Sequence, residues 1–197
     1  MKTLLVELKT SLLLTAVLVV LLCGAYPLAV WAGAQALFPA KANGSLIMDR
    51  DGTVRGSALV AQNFGSERYF QPRPSAAGTG YDAASSSGTN LGPTSQKLAD
   101  SIKAAVAAYR TANGLAADAP VPADAVTSSG SGLDPHISVA NAEIQAHRVA
   151  EVRHLPPATV EDLVAAHTED RDLGVLGEPR VNVLLLNLAL DQNPSGK

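Results

Sequence analysis

Serine, aspartate and histidine stand together in residues 127–138 (TSSGSGLDPHIS), the three side-chain types that serve a hydrolase as nucleophile, orienting carboxylate and general base. Their spacing argues against that chemistry. A triad is assembled from distant segments, whereas Asp134 and His136 are two residues apart, and neither Ser129 nor Ser131 lies in a G-x-S-x-G nucleophile elbow. The same residues suit a shaped loop. Gly130 and Gly132 permit backbone conformations that a side chain forbids, Pro135 fixes its own φ and biases Asp134 toward extended backbone, and Asp and Ser side chains bond nearby amides. No residue is assigned a catalytic role, and the loop is read as architecture or as a contact with another chain. Glu143 and His147 share a helix face at a spacing of four, but no H-E-x-x-H or paired C-x-x-C accompanies them, so no metal site is assigned. A phosphate-binding G-x-x-x-x-G-K-[ST] loop is also absent. Arg73, between Pro72 and Pro74, and Arg180, after Glu178 and Pro179, sit on stiff backbone, where each suits an internal ion pair or a partner contact.

Helices must position this loop. Ser138 stands as an N-cap ahead of a breaker-poor run to Arg153, which ends before Pro156 and Pro157. A second helix follows with Thr159 as its cap and Val160, Leu163, Val164 and His167 on one face. His167 there is read as a boundary histidine with one satisfied nitrogen. Upstream, Thr94 is the expected cap of a helix whose Leu98, Ile102, Val106 and Tyr109 form an apolar stripe that closes at Asn113 and Gly114. Residues 45–54 read as a hairpin with its turn at Asp51 and Gly52. Residues 69–76 hold two prolines in three positions and form an irregular loop, and residues 76–93 have a linker's composition. Residues 121–127 suggest a strand. Residues 181–190 read as a buried strand, a buried helix, or one then the other, with a helix from Asn182 preferred. The fold class is α+β: one transmembrane helix, then a single mainly helical domain with a small β-sheet.

Between Lys9 and Lys41 there is no charged residue, and the apolar run exceeds the roughly 20 residues that cross a bilayer. A cleaved signal peptide is the competing reading, but its apolar core spans only about 7–15 residues. Trp31 and Phe38 also stand where an interfacial belt would. Cys23 follows Leu22, which is not the small residue of a lipobox. The expected organisation is a cytoplasmic N-terminus over 1–10, a membrane helix with its interface over 11–38, and an extracytoplasmic domain over 42–197. Lys2 and Lys9 before the span, against Lys41, Arg50 and Arg55 after it, favour the N-terminus inside by a thin margin. From residue 42 onward, 12 Lys and Arg face 17 Asp and Glu, a balance that disfavours a nucleic-acid partner.

Four blocks in this chain make a familiar pattern: Tyr69-Phe70-x-x-Arg73-Pro74-Ser75-Ala76, Gly88-Thr89-Asn90-Leu91-Gly92-Pro93, residues 127–138, and Gly177-Glu178-Pro179-Arg180-Val181-Asn182-Val183-Leu184. Together with one N-terminal span, they resemble the C subunit of the bacterial high-affinity potassium-transporting ATPase, the KdpC family of the Kdp complex, along nearly the whole chain. Ser128, Ser86 and Ser87 depart from the family's usual residues. The resemblance implies an accessory subunit in the bacterial inner membrane, described as a catalytic chaperone that raises the pump's affinity for ATP. Its implied partners are a channel-like K+-binding subunit, a P-type ATPase subunit and a small single-span subunit. The complex uses ATP, Mg2+ and K+, while no cofactor is assigned to this chain. Structural or partner-contact candidates are Arg73, Asn90, Gly130, Gly132, Asp134, Pro135, His136, Arg180 and Asn182. The alternatives of another class are a membrane-anchored serine hydrolase using Ser129 or Ser131 with His136, and a tethered solute-binding module.

Overall fold

A computed structural model describes residues 2–49 and 51–192; Arg50, within the expected hairpin segment, lies outside the described residues. The chain forms two compact units, Met1–Ser57 and Ala58–Lys197. In the first, α1 (Lys2–Leu18), a π-helical segment (Val19–Ala25) and α2 (Tyr26–Leu37) follow without a break. Pro27 enters near the start of α2, directly after the wider π turns, where its missing N–H does least harm. Thr3–Leu37 is long and apolar enough to cross a membrane, so helix also covers most of the N-terminal ten residues. A short α3 (Pro39–Ala42) leads to the expected hairpin, β1 (Leu46–Met48) and β2 (Val54–Ser57), which pair antiparallel. Its turn is closed by Asp49 N–H to the Thr53 carbonyl at 2.8 Å and by Thr53 N–H to Asp51 Oδ1 at 3.0 Å, with Gly52 at φ 82.

In the second unit the helices fall where the apolar periodicity puts them, with shifted boundaries. α4 (Gln96–Ala112) is capped by Ser95, not Thr94, through Leu98 N–H to Ser95 Oγ. Its stripe of Leu98, Ile102, Val106 and Tyr109 is half-buried throughout, so α4 lies against the domain without entering the core. Residues 121–127 form no strand; α5 (Ala123–Val126) is a single turn that Pro122 leads and Thr127 ends. Next come β3 (His136–Ser138) and α6 (Val139–Arg153), with Ser138 Oγ accepting from Asn141 N–H as its cap. His154 closes α6 in the left-handed conformation at φ 57, the role that glycine fills more often. α7 (Pro157–Ala166) begins one turn earlier than Thr159 suggests, because a proline is well suited to a first helical position. β4 (Thr168–Glu169), β5 (Arg180–Asn182) and α8 (Val183–Gln192) complete the chain. Residues 181–190 are therefore strand, then helix. Asn182 ends the strand, and its Oδ1 accepts from Leu185 N–H at 3.2 Å to cap α8.

The sheet has the order β3-β5-β4, all antiparallel, with His136 opposite Asn182 and Ser138 opposite Arg180. Ile137 and Val181, paired at its centre, join Phe70, Val149, Val160, Val183, Leu186 and Leu190 in one buried cluster. Phe70 belongs to no strand or helix, yet it is fully buried. Its backbone is satisfied by side chains: Asn187 Oδ1 accepts from Phe70 N–H at 2.9 Å, and Asn187 Nδ2 donates to the Phe70 carbonyl at 3.0 Å. Gln145 does the same for Gln71, at 2.7 and 3.1 Å. Arg148 donates to the carbonyls of Glu67 and Tyr69, and Arg153 to that of Arg68.

Asn187→Leu keeps the side-chain volume and leaves two buried backbone groups of Phe70 unpaired. The expected cost is about 2–5 kcal/mol, read as a lowered midpoint in denaturant unfolding of the full chain in detergent.

Candidate functional site

Residues 127–138 are held by what surrounds them. The Ser75 hydroxyl donates to the Gly132 carbonyl at 2.6 Å and accepts from the amides of Ala77 and Tyr81. Ser87 N–H and Ser86 Oγ both donate to the Ser131 carbonyl at 3.0 Å. The linker composition of residues 76–93 is thus misleading: its small residues let this strip lie flat on the glycine loop, and Ala77 is fully buried against it. Gly132, at φ 68, is part of that fit, because a methyl there would lie 2.7 Å from both Ala77 N and the Ser87 carbonyl oxygen. Gly130 has no atom within 4 Å of such a methyl and no left-handed φ. The close approach at Gly130 belongs instead to Gly88, whose added methyl would meet the Gly130 carbonyl oxygen at 3.1 Å.

Asp134 is the hub of the charged groups. Its Oδ1 accepts from His136 N–H at 3.0 Å and lies 3.4 Å from His136 Nδ1, and its Oδ2 accepts from Arg73 Nη1 at 3.2 Å. Burial pushes the carboxyl up, but the hydrogen bonds from the His136 ring and backbone, with the Arg73 charge, outweigh it and hold the group below its ordinary range. Across the imidazole, His136 Nε2 is 3.7 Å from Glu169 Oε2, which in turn accepts from Arg180 Nε at 3.1 Å. A line of polar contacts therefore runs Arg73, Asp134, His136, Glu169, Arg180, with the imidazole between two carboxylates and an arginine at each end, drawing residues from four places in the sequence to the β3–β5–β4 sheet.

The candidates sort clearly against this geometry. Arg73, Asp134, His136 and Arg180 form the charged line. Gly132 seats the loop against residues 75–87, and buried Pro135, whose carbonyl accepts Val183 N–H at 3.0 Å, fixes it to α8. Asn182 ties β5 to Ala58 through its Nδ2 at 2.8 Å. Asn90 stands apart on an exposed loop at φ 53. The arrangement does not set up serine chemistry, since the His136 ring faces two carboxylates while Ser129 and Ser131 contact each other at 3.4 Å. Exposed Glu143 and His147 lie with Glu161 along a groove of about 510 Å³ between α6 and α7. Among the described residues no group of three His, Cys, Asp or Glu is placed to hold a metal ion. His167 fits its reading, with Nδ1 2.8 Å from the Leu163 carbonyl.

Two positioning residues carry no signal in the sequence. Asp124 accepts from Ser138 N–H, Ser138 Oγ and Asn141 Nδ2 at 2.8–2.9 Å, linking α5 to the start of α6. Glu169 lies in a two-residue strand with no periodicity to announce it.

A family model described as KdpC, K+-transporting ATPase, c chain, matches residues 8–192. The chain is 58% identical over 167 residues to the potassium-transporting ATPase KdpC subunit of Mycobacterium bovis (strain BCG / Pasteur 1173P2), covering 85% of this chain and 88% of that one. It is 57% identical over 185 residues to the protein of the same name from Rhodospirillum rubrum, covering 94% and 95%. With that of Nitratidesulfovibrio vulgaris it shares 53% over 190 residues, covering 96% and 95%.

The two loop glycines separate experimentally. Gly132→Ala is expected to cost about 2–4 kcal/mol from overpacking and a left-handed φ, and Gly130→Ala less than about 0.5 kcal/mol, by thermal or denaturant unfolding of the full chain. Asp134 gives a pH signature. Its folded pKa lies below the ordinary 3.8, so its contribution is complete above that value and is lost as pH falls through the folded pKa. The stability gap between wild type and Asp134→Asn should be widest near neutrality and should narrow in an unfolding series below pH 4.

Proposed function

Because this chain belongs to the KdpC family, and so is a subunit of a K+-transporting ATPase and not an enzyme on its own, we propose that it is an accessory subunit that assists assembly of an ATP-driven potassium importer and raises the ATP affinity of its P-type subunit. The observation that carries this reading is the extent of the match, which covers the apolar helix and the domain together. The engagement of Asp134 and His136 with Arg73 and Glu169 agrees with it, since these groups are spent on one another.

In this reading the apolar Thr3–Leu37 helix crosses the bacterial inner membrane once, with the N-terminus cytoplasmic and the domain outside. The partners are a channel-like K+-binding subunit, on whose outer face the domain packs, the P-type subunit, and a small single-span subunit. A domain outside the membrane cannot touch cytoplasmic ATP. Its effect is then a coupling free energy: it binds one conformation of the pump more tightly, and that conformation binds ATP more tightly. ATP, Mg2+ and K+ belong to the complex.

The test is purification from native membranes through a tag on this chain, followed by ATP titration of the pump with and without it. The K+-binding and P-type subunits should co-purify, and removing the chain should raise the KM for ATP about fivefold or more. An unchanged KM would leave membership of the complex intact and remove the chaperone role.

A further inference from the structure

Between β4 and β5 the chain builds a hydrogen-bonded loop whose apolar side chains face water. Leu173 is 90% exposed, Val175 72% and Leu176 57%. Among the described residues of Ala58–Lys197, Leu59 is the one other large aliphatic or aromatic side chain so exposed. The loop is closed by reciprocal backbone bonds between Asp172 and Leu176, both 2.9 Å, and by Gly174 N–H to the Arg171 carbonyl at 3.0 Å. Its stem is clamped by the Arg171–Glu178 pair at 2.6 Å and by Arg180, which reaches Glu169 and Asp172. Leu173 holds φ 55, a left-handed conformation that is unfavourable for a bulky residue and that Asn or Gly would adopt at less cost. A turned loop thus presents its leucine outward at the expense of both backbone strain and exposed apolar surface. Clustered exposure of this kind marks a contact surface.

The charges choose the occupant. Residues 169–180 carry Glu169, Asp170, Asp172 and Glu178 against Arg171 and Arg180, with no lysine, and both arginines are engaged by carboxylates within the loop. An acidic collar of this kind is repelled by an anionic bilayer surface. It complements an apolar socket with a basic rim on a protein. The geometry points to residues 172–176 as a docking knuckle that seats in such a socket on another subunit of the potassium-transporting complex. This rests on the membership argued above and adds the surface that makes the contact.

Leu173→Asn relieves the left-handed strain while removing the apolar tip, so the full chain in detergent should unfold at a midpoint no lower than wild type. In the tagged, immobilised complex this variant should be lost from the other subunits at least tenfold faster during washing. Val175→Ser serves as a second variant should the first lower the midpoint. Retention equal to wild type in a normally folded variant overturns the knuckle. The membrane alternative is read with Val175→Cys in a Cys23→Ser background, carrying an environment-sensitive fluorophore. A blue shift in the assembled complex, and none when the chain alone is reconstituted in anionic vesicles, supports the protein socket; a blue shift in vesicles alone overturns it. If the wild-type chain brings down no other subunit, the reading of complex membership fails instead, and the knuckle falls with it.

Discussion

The architecture of residues 58–192 depends on one polar constraint: backbone near Phe70 crosses the core without a strand to pair with. Every buried N–H and C=O must find a partner, and water is excluded there. Side chains of α6 and α8 supply them. Gln145, Arg148 and Arg153 project from α6 at positions one and two turns apart, and Asn187 projects from α8, so that four polar groups act as a substitute strand. Each is itself almost completely buried and fully occupied; Arg148 also bonds Asn113, and Asn141 links Gln145 to the Tyr109 hydroxyl. Burial pushes that phenol's pKa up, and the nearby charge of Asp124 adds to the effect, so Tyr109 stays a neutral donor. α4, α6, α8 and the segment 67–71 are thereby coupled through one hydrogen-bonded network, in which a single missing partner leaves several groups unsatisfied.

The charged line at the sheet edge is a consequence of that arrangement. Once the network fixes residues 67–71, Pro72 and Pro74 leave Arg73 little freedom, and its guanidinium arrives at Asp134. Asp134 then turns the chain into β3 by accepting the His136 amide, β3 pairs with β5, and β4 on the other side of β5 sets Glu169 opposite Arg180. Gly132 admits the strip from residues 77–87 over the loop. Residues that resemble a dispersed active site are therefore the closing steps of one folding geometry, and their half-exposed ion pairs are worth little singly but specify the register together.

Much of this was legible in the sequence where a local rule acts alone. The hairpin at Asp51-Gly52, the stripe from Leu98 to Tyr109 and the Ser138 cap each follow from the residues within a few positions. Where a distant partner decides, local rules fail. Residues 76–93 look like a linker because the glycine loop that orders them lies some fifty positions later. α6 shows in the sequence only as a breaker-poor run behind the Ser138 cap, and nothing local shows that Gln145, Arg148 and Arg153 find their partners in backbone groups of residues 67–71. Asn182 satisfies both readings of the C-terminal segment, as the last strand residue and the cap of the helix. Of the site candidates, Asn90 alone remains apart from the rest.

An accessory subunit without chemistry of its own can alter a pump only through contacts that differ between the pump's conformations. The β4–β5 loop extends directly from β5, whose Arg180 takes part in the charged line and whose Asn182 caps α8. Through Arg180 the loop's Asp172 is linked to Glu169, and through Glu169 to His136 and Asp134. The most exposed apolar residues of the domain thus lie on the loop that leads directly into the strand carrying Arg180 and Asn182.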